Sequence, residues 1–343
     1  MTAPDPPSTP CCGPNTSNHG KYPAIPPQPA PGPESTSHEG MVRLDGGGFW
    51  MGSEDPKSFP SDGEGPVRKV TLSPFWIDAT AVTNAAFARF IADTDYLTEA
   101  QRFGWSYVFK PHLSAKFAAG LREVPEIPWW VAVPGARWDR PLGERSSIKD
   151  IPNHPVVHTS WNDACAYAAW AGKVLPTEAQ WEFAARGGTD RQTFPWGSHL
   201  ELRGQHHCNI FQGRFPDRNT AADGFAGTCP VDSYKPNGFG LFNVCGNVWE
   251  WASDGYSPTW HAEDRPETRI DPTGPSNAET PIDSAGQKRR VQKGGSFLCH
   301  HSYCNRYRLG ARTANAPDSA TTHTGFRCVR PISTEGMPAP VKL

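Results

Sequence analysis

The pattern of apolar and polar positions changes at residue 41. Before it, aliphatic residues are almost missing and 11 of the 36 prolines crowd residues 1–40, which predicts a disordered or weakly ordered tail. After it, Met41-Val42-Arg43-Leu44 reads as a strand. Gly46-Gly47-Gly48 reads as a turn before Phe49-Trp50-Met51, and the alternation Val67-Arg68-Lys69-Val70-Thr71-Leu72 as a further strand. Three helices are announced by their caps. Thr83 opens one that runs to about Thr94, with Phe87, Phe90 and Ile91 on one face. Ser160 precedes another over 161–171, closed by Gly172. Thr177 and Gln180 form a capping-box pattern for a third, which carries Trp181 and ends at Gly187-Gly188. Glu178 and Glu182, one turn apart on that helix, are expected on a solvated face, with Glu178 favoured by the N-terminal dipole.

Beyond Gly188 helical periodicity fades. Residues 189–330 alternate short apolar pieces with Gly, Asn, Asp and Pro, which predicts short strands joined by long ordered loops. The polar, Pro-rich stretch 257–288 is expected to be an exposed loop. No repeat of fixed period and no linker interrupts 41–333. The expected architecture is one mixed α/β domain over 41–333, flanked by the tail 1–40 and a C-terminal tail 334–343.

Composition sharpens this picture. The 33 glycines and 36 prolines among 343 residues fit a loop-rich chain, while 13 Trp and 17 Phe argue for a folded core. A net charge of -2 excludes nucleic-acid binding by bulk charge. No apolar run reaches the ~18 residues of a membrane helix. The N-terminus lacks the basic start and apolar stretch of a secretory signal. Nine cysteines are too sparse for a disulfide scaffold and lack paired C-x-x-C spacing, so a cytoplasmic protein with mostly reduced thiols is expected. Cys11-Cys12 in the tail could be a metal or redox handle, but adjacent cysteines in such a tail are more often incidental, since thiol reactivity needs a tuned environment.

Three groups of residues could carry chemistry. In 294–308, Cys299 and Cys304 follow the pair Gly294-Gly295 and can converge across a turn. Two soft thiolates suit Cu(I), but they could equally close a small disulfide, form half a zinc site, or be buried structural cysteines. Arg306, Arg308 and Arg312 would lower the thiol pKa if they lie close. A second group sets side-chain oxygens among glycine-rich backbone, at Asn209-Ile210, Asp223-Gly224-Phe225 and 243–251, as a hard cation such as calcium requires. Taken alone it reads as ordinary Asx turns. The third is His154-Pro155-Val156-Val157-His158. Pro155 and the valines make it extended, and Ser160 stands where an H-x3-H-x-E iron site needs glutamate, so both histidines read as structural. Neither a G-x4-G-K-[ST] phosphate loop nor a G-x-S-x-G elbow is present.

Together these segments resemble the formylglycine-generating enzyme family, or sulfatase-modifying factors. The resemblance is carried by GGGFWMGS (46–53), YLTEAQRFG (96–104), PWW (128–130), HPVVHTSWNDACAYAAWAGKVLPTEAQWEFAARGG (154–188) and FPWG (194–197). It continues through PNGFGLFNVCGNVWEW (236–251), GGSFLCHHSYCNRYRLGAR (294–312) and GFRC (325–328). It implies a single mixed α/β domain related to the C-type lectin fold, low in regular secondary structure and with long ordered loops. It implies an oxidase that uses O2 and copper to convert the cysteine of a C-x-P-x-R motif, in a still-unfolded sulfatase, to Cα-formylglycine, with a thiol reductant. A non-catalytic paralogue acting as a polypeptide-binding module is the alternative.

Carried over residue by residue, the resemblance makes Cys299 and Cys304 the Cu(I) ligands, and Cys304 the cysteine able to form a mixed disulfide with substrate. Ser296 and Tyr303 become polar groups beside the metal, and Trp249 and Trp129 aromatic walls. Ser106, Trp129, Tyr303 and His323 form the expected substrate-binding set. One structural Ca2+ would take Asn209, Asp223 and the carbonyls of Ile210 and Phe225. The other would take Asn243, Glu250 and the carbonyls of Gly246 and Val248. Several positions depart from the family pattern. Ala168 and Leu309 replace structural cysteines of secreted relatives, and Trp105 stands where some relatives place the aspartate that meets the substrate arginine. Ala320 and His323 replace serine and asparagine.

Overall fold

A computed structural model describes residues 13–14, 37–283 and 286–332. The strand Met41–Leu44 pairs with Phe75–Asp78, which also pairs with Val329–Pro331, so the two ends of the domain close on one sheet. Gly47–Met51 pairs with Arg68–Leu72. The expected glycine turn is thus largely part of a strand. A third sheet joins Trp105–Phe109, Ile127–Pro134 and Arg122–Val124. The fourth runs Arg312–Asn315, Arg290–Lys293, Trp249–Gly255, Thr324–Gly325, its last pair parallel. Between these pieces lie long irregular stretches. The architecture is the expected mixed α/β domain with little regular secondary structure.

The helices form where their caps predict. Thr83 accepts a hydrogen bond from the Ala86 amide and opens Asn84–Thr94, which ends at Asp95 in the left-handed conformation. Ser160 and Asp163 make a reciprocal capping box for Trp161–Trp170, and Thr177 and Gln180 one for Glu178–Arg186. A short helix, Glu99–Phe103, carries the same device at Thr98 and Gln101. Phe87 and Phe90 are fully buried and meet Tyr167, Trp170 and Tyr96 in an aromatic core.

Two expectations are corrected. Glu178 and Glu182 are not solvated but buried, at 6% and 1% exposure. Glu178 is gripped by Arg312 at 2.8 and 2.7 Å, while Glu182 meets Lys293 at 2.9 Å and Arg186 at 2.6 Å. Burial opposes their ionisation, but Arg312 and Lys293 outweigh it for Glu178, and Lys293 and Arg186 for Glu182, holding both near 2. Helix periodicity could not reveal this, because two of the three cations arrive from more than a hundred residues away. The stretch 257–288 is irregular, as expected, yet not wholly exposed among its described residues. His261, Thr268 and Thr280 are buried, and Pro266–Arg269 forms a helical turn.

Candidate active site

The strand Arg290–Lys293 delivers the chain to Gly294 and Gly295, both at positive φ. Gly295 admits no side chain, since a Cβ there would lie 2.8 Å from the Tyr307 Cα. The turn continues with the Cys299 amide donating to the Ser296 carbonyl, and the Cys304 amide to that of His300. These bonds bring the two sulfurs to 3.3 Å, each residue 2% exposed. That separation is contact without a bond, since a disulfide measures ~2.05 Å. The Ser296 amide points at the Cys299 sulfur from 3.4 Å.

Of the three nearby arginines only Arg306 reaches a thiol, at 3.8 Å from the Cys304 sulfur. Its charge is shared with Asp62, bonded at 2.5 and 3.2 Å, and its guanidinium lies over Phe59. Arg308 and Arg312 turn instead to Glu64 and Glu178. They act as anchors of the segment rather than as a cationic surround for the sulfurs.

Aromatic side chains wall the pocket above the thiols. Trp129, from the strand Ile127–Pro134, meets Tyr303 edge-on at 5.0 Å, and Phe215 stacks on Tyr303 at 4.7 Å. Trp130, Trp249 and Leu298 are buried and complete the lining. The Trp249 indole N–H has no partner among the described residues. Ser296 and His323 supply the polar side: the hydroxyl lies 3.3 Å from His323 Nδ1, and Trp130 packs edge-on against the imidazole. Sequence reasoning missed Phe215, Trp130 and Leu298; no local motif marks Phe215, which arrives on the hairpin Gly213–Asn219.

Ser106 lies outside the lining of this pocket and is 1% exposed. Its hydroxyl lies 2.7 Å from His158 Nδ1 and 2.9 Å from the Ala320 carbonyl. The Pro141 carbonyl, 2.9 Å from Nε2, can only accept. In a neutral ring that nitrogen carries the proton, and the single Ser106 proton serves either Nδ1 or the Ala320 carbonyl, not both. Burial pushes His158 down to about 4, consistent with a neutral imidazole. His154 meets Thr228 at 2.9 Å. Both histidines therefore bind protein partners. Trp105 packs on Tyr107 with Arg122 over its face, 5.4 Å from the ring.

The oxygen-rich segments lie together beside the central strand. Asp223 accepts from the Ile210 and Phe225 amides at 2.9 and 3.2 Å. The Asn209 side-chain amide donates to the Gly227 carbonyl, while its Oδ1 is buried without a partner among the described residues. The Asn243 Oδ1 is in the same situation. Gly246 sits at φ 76, where a Cβ would meet the Asn209 carbonyl oxygen at 2.2 Å. Glu250, by contrast, is held by Arg327 at 2.6 and 2.8 Å and by Trp181 at 2.7 Å. A larger open hollow elsewhere, bordered by Asp78, Thr83, Arg89 and Lys173, has no thiol among the described residues that line it.

Fold and pocket together define a mixed α/β scaffold carrying a buried dithiol under aromatic walls, the equipment of a sulfur-directed redox enzyme. The family described as sulfatase-modifying factor enzyme 1-like domain matches residues 27–332. A formylglycine-generating enzyme of Thermomonospora curvata is 59% identical over 84% of this chain and 93% of its own length. A mouse relative named inactive C-alpha-formylglycine-generating enzyme 2 is 42% identical over 87% of each chain. Among solved structures, PvdO from Pseudomonas aeruginosa shares the fold at TM-score 0.58 and 23% identity, over 85% of this chain and 94% of its own. The chain belongs to the sulfatase-modifying factor family of formylglycine-generating enzymes.

Proposed function

We propose that the chain converts the cysteine of a C-x-P-x-R segment in a sulfatase polypeptide to Cα-formylglycine, using O2, with Cu(I) held by Cys299 and Cys304. The observation that carries this reading is the pair of unbonded sulfurs 3.3 Å apart at the base of an aromatic pocket. Two thiolates suit a soft monovalent ion, and among the described residues no carboxylate lines the pocket to favour a hard one. The touching sulfurs must part to admit it. When bound, copper would offer the incoming thiolate a soft partner and O2 a source of electrons.

The chain's own residues do the rest. Trp129, Phe215 and Tyr303 present flat apolar surface to an extended polypeptide. Trp130, Trp249 and Leu298 keep water from the sulfurs. The Ser296 hydroxyl and the His323 imidazole are the polar groups beside them, placed to accept the proton that a substrate thiol releases. In the overall balance the peptidyl Cβ passes from thiol to aldehyde with loss of sulfide, giving up two electrons. Two exogenous thiols give two more as they form a disulfide. O2 accepts all four, and one water is released per turnover.

For calcium, the first set fits best, because the orphaned Asn209 oxygen and Asp223 are hard donors without a neutralising cation. In the second set Glu250 already pairs with Arg327, so an ion beside Asn243 competes with a guanidinium and binds more weakly. Retention of both cysteines supports catalysis over a binding-only role. The test is mass spectrometry of a C-x-P-x-R peptide incubated with copper-loaded protein and a dithiol in air. Loss of sulfur with gain of an aldehyde is expected; an unchanged peptide refutes the reading.

A further inference from the structure

Six arginines are buried among the described residues, and five of them hold a carboxylate. Arg186 takes Glu182, Arg306 takes Asp62, Arg308 takes Glu64, Arg312 takes Glu178 and Arg327 takes Glu250. Arg68, 7% exposed and opposite Met51 in its sheet, pairs with no carboxylate among the described residues. Its guanidinium reaches only the Met51 sulfur at 3.3 Å and the Pro66 carbonyl at 3.5 Å. A thioether is a weak acceptor. The Arg68 Nε has no partner at all among the described residues. Burial pushes the guanidinium down to about 10, which still leaves it charged at neutral pH. A buried charge in this state bears a desolvation cost that nothing nearby offsets.

Arg68 borders a cavity of about 20 Å³, shared with Arg312, His261, Ser257, Asp254 and Glu178. About 10–15 Å³ suffices for one water-sized occupant. The charge around the cavity does not balance. Arg68, Arg186, Lys293 and Arg312 face Glu178, Glu182 and Asp254, which leaves one positive charge in excess even with all three carboxyls ionised. Asp254 accepts from the Glu178 amide at 2.8 Å, and burial and the Glu178 charge push its carboxyl up to about 7, so the excess grows near neutrality. His261 adds no charge: its Nε2 donates to the Gly65 carbonyl at 3.1 Å, and burial together with Arg312 and Arg68 pushes it down to about 3. Arg269, the next cation out, is matched by Asp264 at 2.8 Å.

We propose that this cavity is a binding site for one small monovalent anion of the chloride class, held by the Arg68 guanidinium. A water would answer the orphaned Nε but not the charge; an anion answers both. The size of the cavity excludes sulfate and phosphate. Arg312 and Glu178 join the segment that carries both cysteines to the helix Glu178–Arg186, so an anion here stabilises that junction from beneath.

Thermal unfolding of the full chain, with chloride exchanged for bulky gluconate at constant ionic strength, is the first readout. A saturable rise of roughly 2–4 °C in chloride is expected. It should be absent in Arg68→Met, which keeps the stem of the side chain and removes its donors. A melting temperature indifferent to chloride, or an equal rise in both proteins, overturns the proposal. Wild-type crystals soaked in bromide give the second readout and need no variant, so they decide alone if Arg68→Met does not fold. An anomalous peak in contact with the Arg68 Nε is expected; ordered water there without an anomalous signal overturns the proposal.

Discussion

Removing Arg327 tests how this domain is held together. The guanidinium is fully buried and gives Glu250 two hydrogen bonds of 2.6 and 2.8 Å. It also reaches the carbonyls of Phe242 at 2.9 Å, Ala79 at 3.1 Å and Asp78 at 3.2 Å. Arg327→Met keeps most of the volume and strips every one of these bonds. Glu250, 1% exposed on the central strand, then becomes a buried carboxylate without its counter-charge. Breaking one side of such a pair costs about 3–5 kcal/mol, a large part of a typical ~5–15 kcal/mol stability. In a domain of this size that lowers the melting midpoint by on the order of 10 °C. Replacing both partners is much milder, because no orphaned charge remains. Urea unfolding of Arg327→Met, Glu250→Leu and the double variant closes the cycle. It is run in chelator so that no ion substitutes for the guanidinium. The double variant should recover most of the loss; a cost below ~1 kcal/mol for Arg327→Met, or additive single effects, refutes the reasoning.

Three further outcomes follow from the same structure. Cys299→Ser and Cys304→Ser should each abolish peptide turnover and halve or eliminate copper uptake while leaving the unfolding free energy within about 1 kcal/mol, because each thiol loses little packing; metal analysis and unfolding curves check this. His158 is neutral in the folded state at about 4 against 6.5 unfolded, so between those values the unfolded chain binds more protons and stability falls as pH drops. That contribution amounts to about 3 kcal/mol, present above 6.5, so the stability gap between wild type and His158→Gln should narrow by roughly that much from pH 7 to pH 4. Calcium at a hundredfold excess over its dissociation constant should stabilise the protein by ~2.7 kcal/mol. Asn209→Ala should remove more of that gain than Asn243→Ala, and an unchanged melting temperature after chelation counts against both sites.

The parts of this molecule legible in the sequence are those encoded within a few residues. Thr83, Ser160 and Thr177 each carry their partner amide on the next turn, so the helices could be read directly. The meeting of Cys299 with Cys304 is likewise local, set by Gly294-Gly295 and the turn at His300. What stayed hidden depends on distant segments. Phe215 reaches Tyr303 from a hairpin almost ninety residues earlier, and Glu178 meets an arginine 134 positions away. Ser106 could be singled out, but not its burial against His158 and Ala320.

The same contrast explains what the arginines after the second cysteine do. Their nearness in sequence suggests a cationic setting for the sulfurs, yet Arg306, Arg308 and Arg312 each take a different buried carboxylate: Asp62, Glu64 and Glu178. A stretch with little regular structure cannot rely on a hydrogen-bond ladder to fix its side chains. Three bidentate pairs, two to the loop at 62–64 and one to the helix that begins at Glu178, supply that rigidity instead. Cys304 lies two residues before the first of them, so the position of its sulfur is set by the loop at 62–64 as much as by its own turn. Loosening Arg308 from Glu64 should therefore disturb the 3.3 Å meeting of the thiols without touching either one.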